Sequence, residues 1–152
     1  MINIRKSHFK FDWVLIDDIA IGTVPTKTKH LAKLKKEGIK GVLNLCTEEE
    51  AKCIDNLKDS FAFKRVILPD HRQKKLLTKD NIITALNELE KLNKLGPTFI
   101  HCFASMERSP IICMAWLIKK NEMNCFQAMD YLMMVHQGTS PLAEQFNVLK
   151  SI

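Results

Sequence analysis

The sequence of 152 residues is low in glycine and proline, with five of each, which excludes collagen-like and low-complexity chains. No apolar run reaches the roughly 18 residues that a membrane span needs, and the first residues lack the apolar core of a secretory signal. The chain has no internal repeat and no C-x-x-C pair, and its five cysteines are odd in number. A disulfide framework and a four-cysteine zinc site are therefore poorly supported, and we expect free thiols in a reducing cytoplasm.

The residues that are present give an ordinary globular composition, 46% hydrophobic and 26% charged. A chain of this length buries about two-thirds of its unfolded surface, so we predict a single domain over residues 1–152. The net charge of +6 favours anionic partners, such as phosphorylated molecules, nucleic acid or an acidic membrane surface. No zinc pattern and no basic strand interleaved with aromatic residues supports nucleic-acid binding.

Strands and helices are predicted to alternate along the chain. Short apolar runs predict strands at 13–16, 19–21, 39–45, 61–68 and 98–101. Helical periodicity and capping residues predict helices at 28–37, 48–57, 78–95, 108–120, 125–136 and from Ser140-Pro141 to the C-terminus. The alternation predicts an α/β fold with a central, mostly parallel sheet covered by helices on both faces. Ligands bind such sheets beyond the carboxyl ends of the strands, here after Leu45, Leu68 and His101.

The segment after the last predicted strand carries the strongest chemical signal. Cys102 follows the strand, five residues intervene, and Arg108 opens an apolar helix. Backbone N–H groups in such a loop, together with the helix N-terminus, form a cradle for an anion. Arg108 adds a guanidinium fork that matches two phosphate oxygens, and the positive field favours a thiolate at Cys102. A thiolate aimed at a bound phosphate is a nucleophile for phosphoryl transfer.

The motif His101-Cys102-x5-Arg108-Ser109 resembles the signature of cysteine-dependent protein tyrosine phosphatases, most closely their compact dual-specificity branch. Val42–Leu45 is similar to a conserved strand of that family, and Leu68-Pro69-Asp70-His71 is similar to its general-acid loop. The resemblance extends from about Trp13 to Phe146. It implies the phosphotyrosine-protein-phosphatase-like architecture and a phosphatase activity.

The resemblance also implies a role for each residue of the motif. Cys102 attacks phosphorus and becomes a phosphocysteine, while Asp70 protonates the leaving oxygen and then activates water. Ser109 eases departure of the thiolate, and His101 supports the loop. Arg108 binds the phosphoryl oxygens with its side chain, and the backbone N–H groups that bind the phosphate belong to Phe103, Ala104, Ser105, Met106, Glu107 and Arg108. No metal or other cofactor is expected, because the cradle and the arginine supply the positive charge.

Two residues of the loop depart from the family pattern. Ser105 stands where the family usually has glycine, and a serine held at positive φ costs on the order of 1 kcal/mol. Glu107 stands where a small residue is frequent, and a carboxylate pointing inward would weaken anion binding and disfavour the thiolate. Both departures bear on rate and substrate preference more than on the type of reaction.

Several simpler interpretations stay open. Cys102 is alternatively a buried structural thiol, and Arg108 forms a surface ion pair with Glu107 or Glu122. Asp80 is the alternative acid, although it fits better in the first turn of a helix. The basic residues Arg72, Lys74 and Lys75 either recruit a second anion or belong to a solvated loop. Cys46 follows the strand 39–45. We expect it to form a disulfide with an oxidised Cys102, as some phosphatases of the resembling superfamily do, and the alternative is a buried core residue.

The expected function is that of a dual-specificity protein phosphatase acting on phosphorylated proteins in the cytoplasm. Related phosphatases act on phosphoinositides, phosphoglucans or RNA 5′ phosphates, and these substrates stay open. A second possibility is a catalytically impaired phosphate-binding module, marked by Ser105 and Glu107. A sulfur-transfer or redox enzyme using Cys102 ranks last, because such loops do not normally end in Arg-Ser. The oligomeric state is not predicted.

Overall fold

A computed structural model describes residues 8–70, 72 and 75–152. Five strands form one sheet, in the order β1-β2-β5-β3-β4. The strands are β1 (Phe11–Leu15), β2 (Ile19–Gly22), β3 (Gly41–Asn44), β4 (Ala62–Arg65) and β5 (Thr98–His101). The helices are α1 (Thr28–Lys36), α2 (Leu57–Ser60), α3 (Lys79–Asn93), α4 (Arg108–Asn121), α5 (Cys125–Val135) and α6 (Ala143–Lys150). Within these described ranges, no helix has the length and apolarity that crossing a bilayer requires.

The sheet is mostly parallel, as the sequence predicts. Strand β1 pairs antiparallel with β2, while β2 and β3 both pair in parallel with β5, and β4 pairs in parallel with β3. In this register His101, at the end of β5, lies between Gly22 of β2 and Asn44 of β3. The carboxyl ends of three parallel strands therefore meet at Cys102, the residue that follows β5.

Alternate residues of the strands enter two apolar clusters on opposite faces of the sheet. Ile19, Leu43 and Ile100 belong to the cluster that also contains buried residues of α3, α4, α5 and α6. Their strand neighbours Ala20, Val42 and Phe99 belong to the cluster that contains Leu31 and Leu34 of α1. The helices thus cover both faces, and helix α4, whose first ten residues are buried, starts beneath the edge where the site was expected.

Two predicted helices differ from the structure. The predicted helix 48–57 is wrong: residues 48–50 form a turn, and the only helix between β3 and β4 in the described chain is the single turn α2. Asn56 precedes α2 with φ 72°, a left-handed conformation that a continuous helix does not contain. The last helix begins at Ala143, and its N-cap residue Leu142 lies two residues after the predicted cap at Ser140.

Candidate active site

The loop between β5 and α4 positions the predicted nucleophile. Cys102 is 3% exposed and follows the last residue of β5 directly. The backbone N–H of Ser105 donates a hydrogen bond to Cys102 Sγ over 3.2 Å. Arg108 begins helix α4, so the positive end of the helix dipole faces the same loop. The loop therefore places the Ser105 N–H on the sulfur atom and a helix N-terminus beside it, as expected for part of an anion cradle.

Ser105 adopts the left-handed backbone conformation that was considered from the sequence, where the resembling family usually has glycine. Its φ is 59°, and the residue is buried. The ring of His136, at the end of α5, lies against it: Nε2 is 2.8 Å from the Ser105 carbonyl oxygen and 3.1 Å from Ser105 Oγ. The serine thus occupies the glycine position with contacts that hold its strained conformation.

Arg108 is held by Glu50, a residue that the sequence analysis did not select. Its Nη1 and Nη2 donate to Glu50 Oε1 and Oε2 over 3.0 and 2.9 Å, a two-bond fork. The hydrogen bonds from Arg108 lower the pKa of Glu50, so this carboxyl stays ionised. The expected alternative partners, Glu107 and Glu122, are not the residues that form this ion pair. Glu50 therefore fixes the plane of the guanidinium before any phosphate arrives.

Asp70 is paired with Arg72. Arg72 donates from Nε and Nη2 to Asp70 Oδ2 over 2.9 and 2.6 Å, and its backbone N–H donates to Oδ1 over 3.1 Å. The side-chain hydrogen bonds from Arg72 lower the pKa of Asp70 to about 2, against a smaller opposing effect of burial. Asp70 is therefore a carboxylate in this conformation. The side chain of Asp70 is 7% exposed and that of Arg72 is 66% exposed.

These residues line one cavity of about 300 Å³ at the carboxyl edge of the sheet. Two segments line it: residues 102–108, the catalytic loop, and the segment that contains Asp70 and Arg72, the acid loop. The lining residues are Asp70, Arg72, Cys102, Phe103, Ala104, Met106, Glu107 and Arg108. Glu107 is thus one of the residues that line the cavity. Phe103 and Met106 are 53% and 47% exposed, so the mouth of the cavity is apolar. A neighbouring hollow of about 360 Å³ is shared by Pro69 and α6, and the described residues lining it include no candidate nucleophile.

His101 and Ser109 lie behind the cavity, and both are buried. Burial lowers the pKa of His101 to about 4, so its ring is neutral at neutral pH, and Nδ1 lies 3.2 Å from the Cys102 carbonyl oxygen. Ser109 Oγ is buried without a hydrogen-bonding partner among the residues that the structure describes. The Ser109 hydroxyl therefore keeps its capacity to donate a hydrogen bond.

Two further cysteines surround Cys102. Cys46 and Cys113 are both fully buried and both are free thiols. Burial, together with the nearby Cys102, raises the pKa of Cys46 to about 12 and raises the pKa of Cys113 as well. The structure therefore keeps Cys46 near the nucleophile, and it adds Cys113, on helix α4, as a neighbour that the sequence analysis missed.

Besides Cys113, four residues of the site were missed or left undecided from the sequence: Glu50, Arg72, Asp12 and His136. Glu50 follows the carboxyl end of β3, and ligands bind such sheets beyond the carboxyl ends of the strands. Its place in the sequence therefore pointed to the site, but it was assigned to the predicted helix instead. Asp12 and His136 carry no local signal, because they contact each other across 124 residues. Arg72 is placed beside Asp70, whereas His71 and Lys74 lie outside the described residues. Asp80 lies in the first turn of α3, as its helical interpretation predicted.

Comparisons with known proteins agree with this fold and with the family resemblance. The family model for the catalytic domain of dual specificity phosphatases matches residues 21–151 of this chain. Phosphatidylglycerophosphate phosphatase PTPMT2 of Arabidopsis thaliana is 26% identical over 154 residues, covering 96% of this chain and 67% of that protein. Human dual specificity protein phosphatase 5 is 40% identical over 48 residues, 32% of this chain and 12% of that protein. The crystal structure of PTPMT1 in complex with PI(5)P superposes with a TM-score of 0.79 at 20% identity, covering 93% of this chain and 92% of that one.

Proposed function

The chain belongs to the dual-specificity phosphatase catalytic-domain family, and we propose that it hydrolyses phosphomonoesters through a phosphocysteine at Cys102. The observation that carries this proposal is one cavity lined by Cys102, Arg108 and Asp70. A thiol nucleophile, a bidentate phosphate ligand and a carboxyl group are the three parts that the reaction needs. All three residues were predicted from the sequence. Cys102 and Arg108 come from the catalytic loop, and Asp70 comes from the acid loop.

The reaction proceeds in two displacements. Cys102 Sγ attacks phosphorus as a thiolate, an S–P bond forms, and the P–O bond to the leaving group breaks while Asp70 gives that oxygen a proton. Water then attacks phosphorus, Asp70 accepts a proton from it, and the S–P bond breaks to release phosphate and the thiolate. The Arg108 guanidinium and the loop N–H groups hold the three phosphoryl oxygens in both steps.

Ser109 supports the second displacement. Its hydroxyl is buried at the N-terminus of α4 and has no partner among the described residues. A hydrogen bond from this hydroxyl to Cys102 Sγ would stabilise the departing thiolate, and that bond would satisfy the hydroxyl. The proposal therefore gives a use to a polar group that the folded chain otherwise leaves unsatisfied.

The acid role of Asp70 requires a rearrangement. While Arg72 holds it, the pKa of Asp70 is about 2 and the carboxyl carries no proton to donate at neutral pH. We infer that Arg72 leaves Asp70 when substrate enters the cavity, since both side chains line it and Arg72 is largely exposed. Released from Arg72 and brought next to the negative phosphoryl group, Asp70 takes up the proton that the first displacement needs.

For the substrate, we propose a phosphomonoester on a phospholipid headgroup. The relative that matches over nearly the whole chain is a phosphatidylglycerophosphate phosphatase, and the exposed Phe103 and Met106 give the cavity an apolar mouth. An apolar rim beside cationic side chains suits a charged headgroup at a membrane surface. A phosphoprotein is the second candidate, and it is supported by the match to dual specificity protein phosphatase 5.

The rate of phosphate release from lipid and from peptide substrates distinguishes the two candidate substrate classes. Vesicles containing phosphatidylglycerophosphate, vesicles containing PI(5)P, and phosphotyrosyl and phosphoseryl peptides would be compared at matched phosphate concentration. We expect kcat/KM to be higher on the lipids, and we expect Phe103→Ser to lower the ratio of lipid to peptide turnover at least ~3-fold. Met133→Ser, at a similarly exposed apolar position on α5, is the matched control and should leave that ratio unchanged. Faster turnover of peptides by the wild type would overturn the lipid assignment.

The covalent intermediate is tested separately by acid quenching during turnover. Mass spectrometry of the peptide containing Cys102 should show the gain of one phosphoryl group, and Asp70→Asn should change how much of it accumulates. A phosphoryl group on another residue, or none under conditions where substrate is turned over, would contradict the phosphocysteine route.

A further inference from the structure

His136 connects the catalytic loop to the first strand of the sheet. It is 1% exposed and caps the C-terminus of α5. Its Nδ1 lies 2.6 Å from Asp12 Oδ2 on β1, while its Nε2 lies 2.8 Å from the carbonyl oxygen of Ser105. One ring therefore spans the gap between an acidic side chain and the backbone of the loop that holds Cys102.

The two partners determine how many protons the ring carries in this arrangement. A carboxylate oxygen and a carbonyl oxygen only accept hydrogen bonds, so each ring nitrogen must donate. A neutral imidazole has one N–H, and its other nitrogen would face an oxygen lone pair. The Ser105 hydroxyl, 3.1 Å from Nε2, offers a donor to the neutral ring, but the carbonyl oxygen at 2.8 Å would still face a lone pair. The observed geometry is thus that of an imidazolium.

The ring of His136 contacts a residue of the catalytic loop whose backbone conformation is strained. Ser105 holds φ at 59°, a conformation that is unfavourable for a residue with a Cβ relative to the right-handed one. In this conformation the Ser105 N–H donates to Cys102 Sγ. The same segment also holds the next residue, because the Ser140 N–H donates to the Met106 carbonyl oxygen over 2.8 Å. Bonds from 136 and 140 therefore hold two consecutive carbonyl groups of the loop.

We propose that protonated His136, anchored by Asp12, is a positioning residue that holds Ser105 in the left-handed conformation and so keeps its N–H on Cys102. This inference deepens the proposed function, because it concerns the reactivity of the same thiol. Among the described residues, the charged group that contacts the ring is Asp12 on β1. The titratable Cys102 does not touch the ring but is linked to it through Ser105, whose N–H donates to Cys102 Sγ. Loss of the ring proton removes the bond to the Ser105 carbonyl, and the thiolate then loses its backbone donor.

Alkylation of Cys102 by iodoacetamide measures this coupling without requiring any turnover. The rate would be followed by peptide mass spectrometry in the wild type, His136→Asn, Ser105→Gly and the double variant, with Cys125 as the internal reference. We expect His136→Asn to slow alkylation of Cys102 about 10-fold in the wild-type background, the equivalent of ~1.4 kcal/mol. In the Ser105→Gly background the same change should cost less than ~3-fold, because glycine adopts positive φ without help.

Equal factors in both backgrounds, or no effect of His136→Asn, would overturn the inference. A measurement on the wild type guards against variants that fold poorly. Histidine side-chain NMR at the pH of the alkylation assay should show that both ring nitrogens of His136 carry a proton. A ring with a single N–H under those conditions would also refute the proposal. A phosphatase assay that fails while the coupling holds would refute the proposed function alone.

Discussion

The catalytic loop and the acid loop face the same cavity but are held in different ways. Residues 102–108 are held by groups from three other segments of the chain: the buried His136 holds Ser105, the Ser140 N–H holds Met106, and the half-buried Glu50 holds Arg108. Asp70 is tied by Arg72, whose side chain is two-thirds exposed. Phosphate binding therefore relies on groups that are set before substrate arrives, whereas the protonation of the acid relies on a contact open to solvent.

This difference fits the demands of the two displacements. The groups that bind the phosphoryl oxygens do the same work in both steps, so a fixed geometry serves them. The acid must be protonated in the first step and ionised in the second. An exposed arginine that pairs with Asp70 stabilises only the ionised form. The exposed Arg72 side chain can move into solvent, and the buried Asp70 carboxylate that it leaves is then favoured in its protonated form.

The largest effect is expected from removing the acid. Asp70→Asn keeps the size of the side chain but cannot donate the proton as Asp70 does, and kcat should fall roughly 10²-fold or more. Asp80→Asn is the matched control, because Asp80 was the alternative acid and lies in the first turn of α3. Steady-state kinetics of both variants on an ester with a poor leaving group give the comparison. A loss at Asp80 with none at Asp70 would transfer the acid role to the helix.

The next largest effect is expected at Glu50. Glu50→Gln leaves Arg108 without its anionic partner, so the guanidinium is less well oriented and kcat should fall about 10-fold. KM should not rise, because the change also removes a negative charge that repels the phosphate. Glu48→Gln is the control: Glu48 is 57% exposed and pairs with Arg65 instead. A raised KM with unchanged kcat would show that Glu50 acts on binding alone.

A smaller effect, visible as a shift in pH dependence, is expected at Arg72. Arg72→Gln removes the hydrogen bonds that lower the pKa of Asp70, so that pKa rises from about 2 toward its usual range. Because the acid must carry a proton, the alkaline limb of kcat/KM should move to higher pH, by about one unit or more. Lys75→Gln, which removes a neighbouring positive charge, should leave the limb in place. A limb that moves to lower pH would contradict the role of Arg72.

The smallest effect on unstressed activity is expected at Cys46. Hydrogen peroxide oxidises a Cys102 thiolate to a sulfenic acid, and attack by the Cys46 thiol then forms a disulfide with loss of water. Peptide mapping after mild peroxide should find the Cys46–Cys102 bridge, and Cys113→Ser should retain it. In Cys46→Ser, Cys102 should proceed to sulfinic and sulfonic acids. A bridge between Cys102 and Cys113 would reassign the partner, and sulfinic Cys102 with untouched Cys46 in the wild type would refute it.

Local patterns were sufficient to predict much of the fold. Thr78 was expected to begin a helix, and the structure shows its side chain and that of Asn81 capping α3 reciprocally. The strand before Cys102 and the helix after it follow from apolar runs separated by Gly96-Pro97. The motif in the connecting loop then indicated the nucleophile and the arginine, because both lie within seven residues of one another.

Contacts between distant segments were not predictable in this way. The helical interpretation of 48–57 followed the acidic residues there, but Glu50 is used in a turn to bind Arg108, 58 residues away. Asp12, His136 and Ser105 approach each other only because β1, α5 and the catalytic loop meet in three dimensions. The loop serine was recognised as a departure from glycine, whereas the groups that stabilise it were invisible in the sequence.

Hydrolysis of p-nitrophenyl phosphate in EDTA, by the wild type and by Cys102→Ser, tests the central claim most directly. Profiles across pH 5 to 8 should show turnover that survives EDTA in the wild type and vanishes in Cys102→Ser, with circular dichroism confirming that both proteins are folded. A folded wild type without turnover would favour a phosphate-binding module. Turnover retained in Cys102→Ser would contradict a phosphocysteine mechanism.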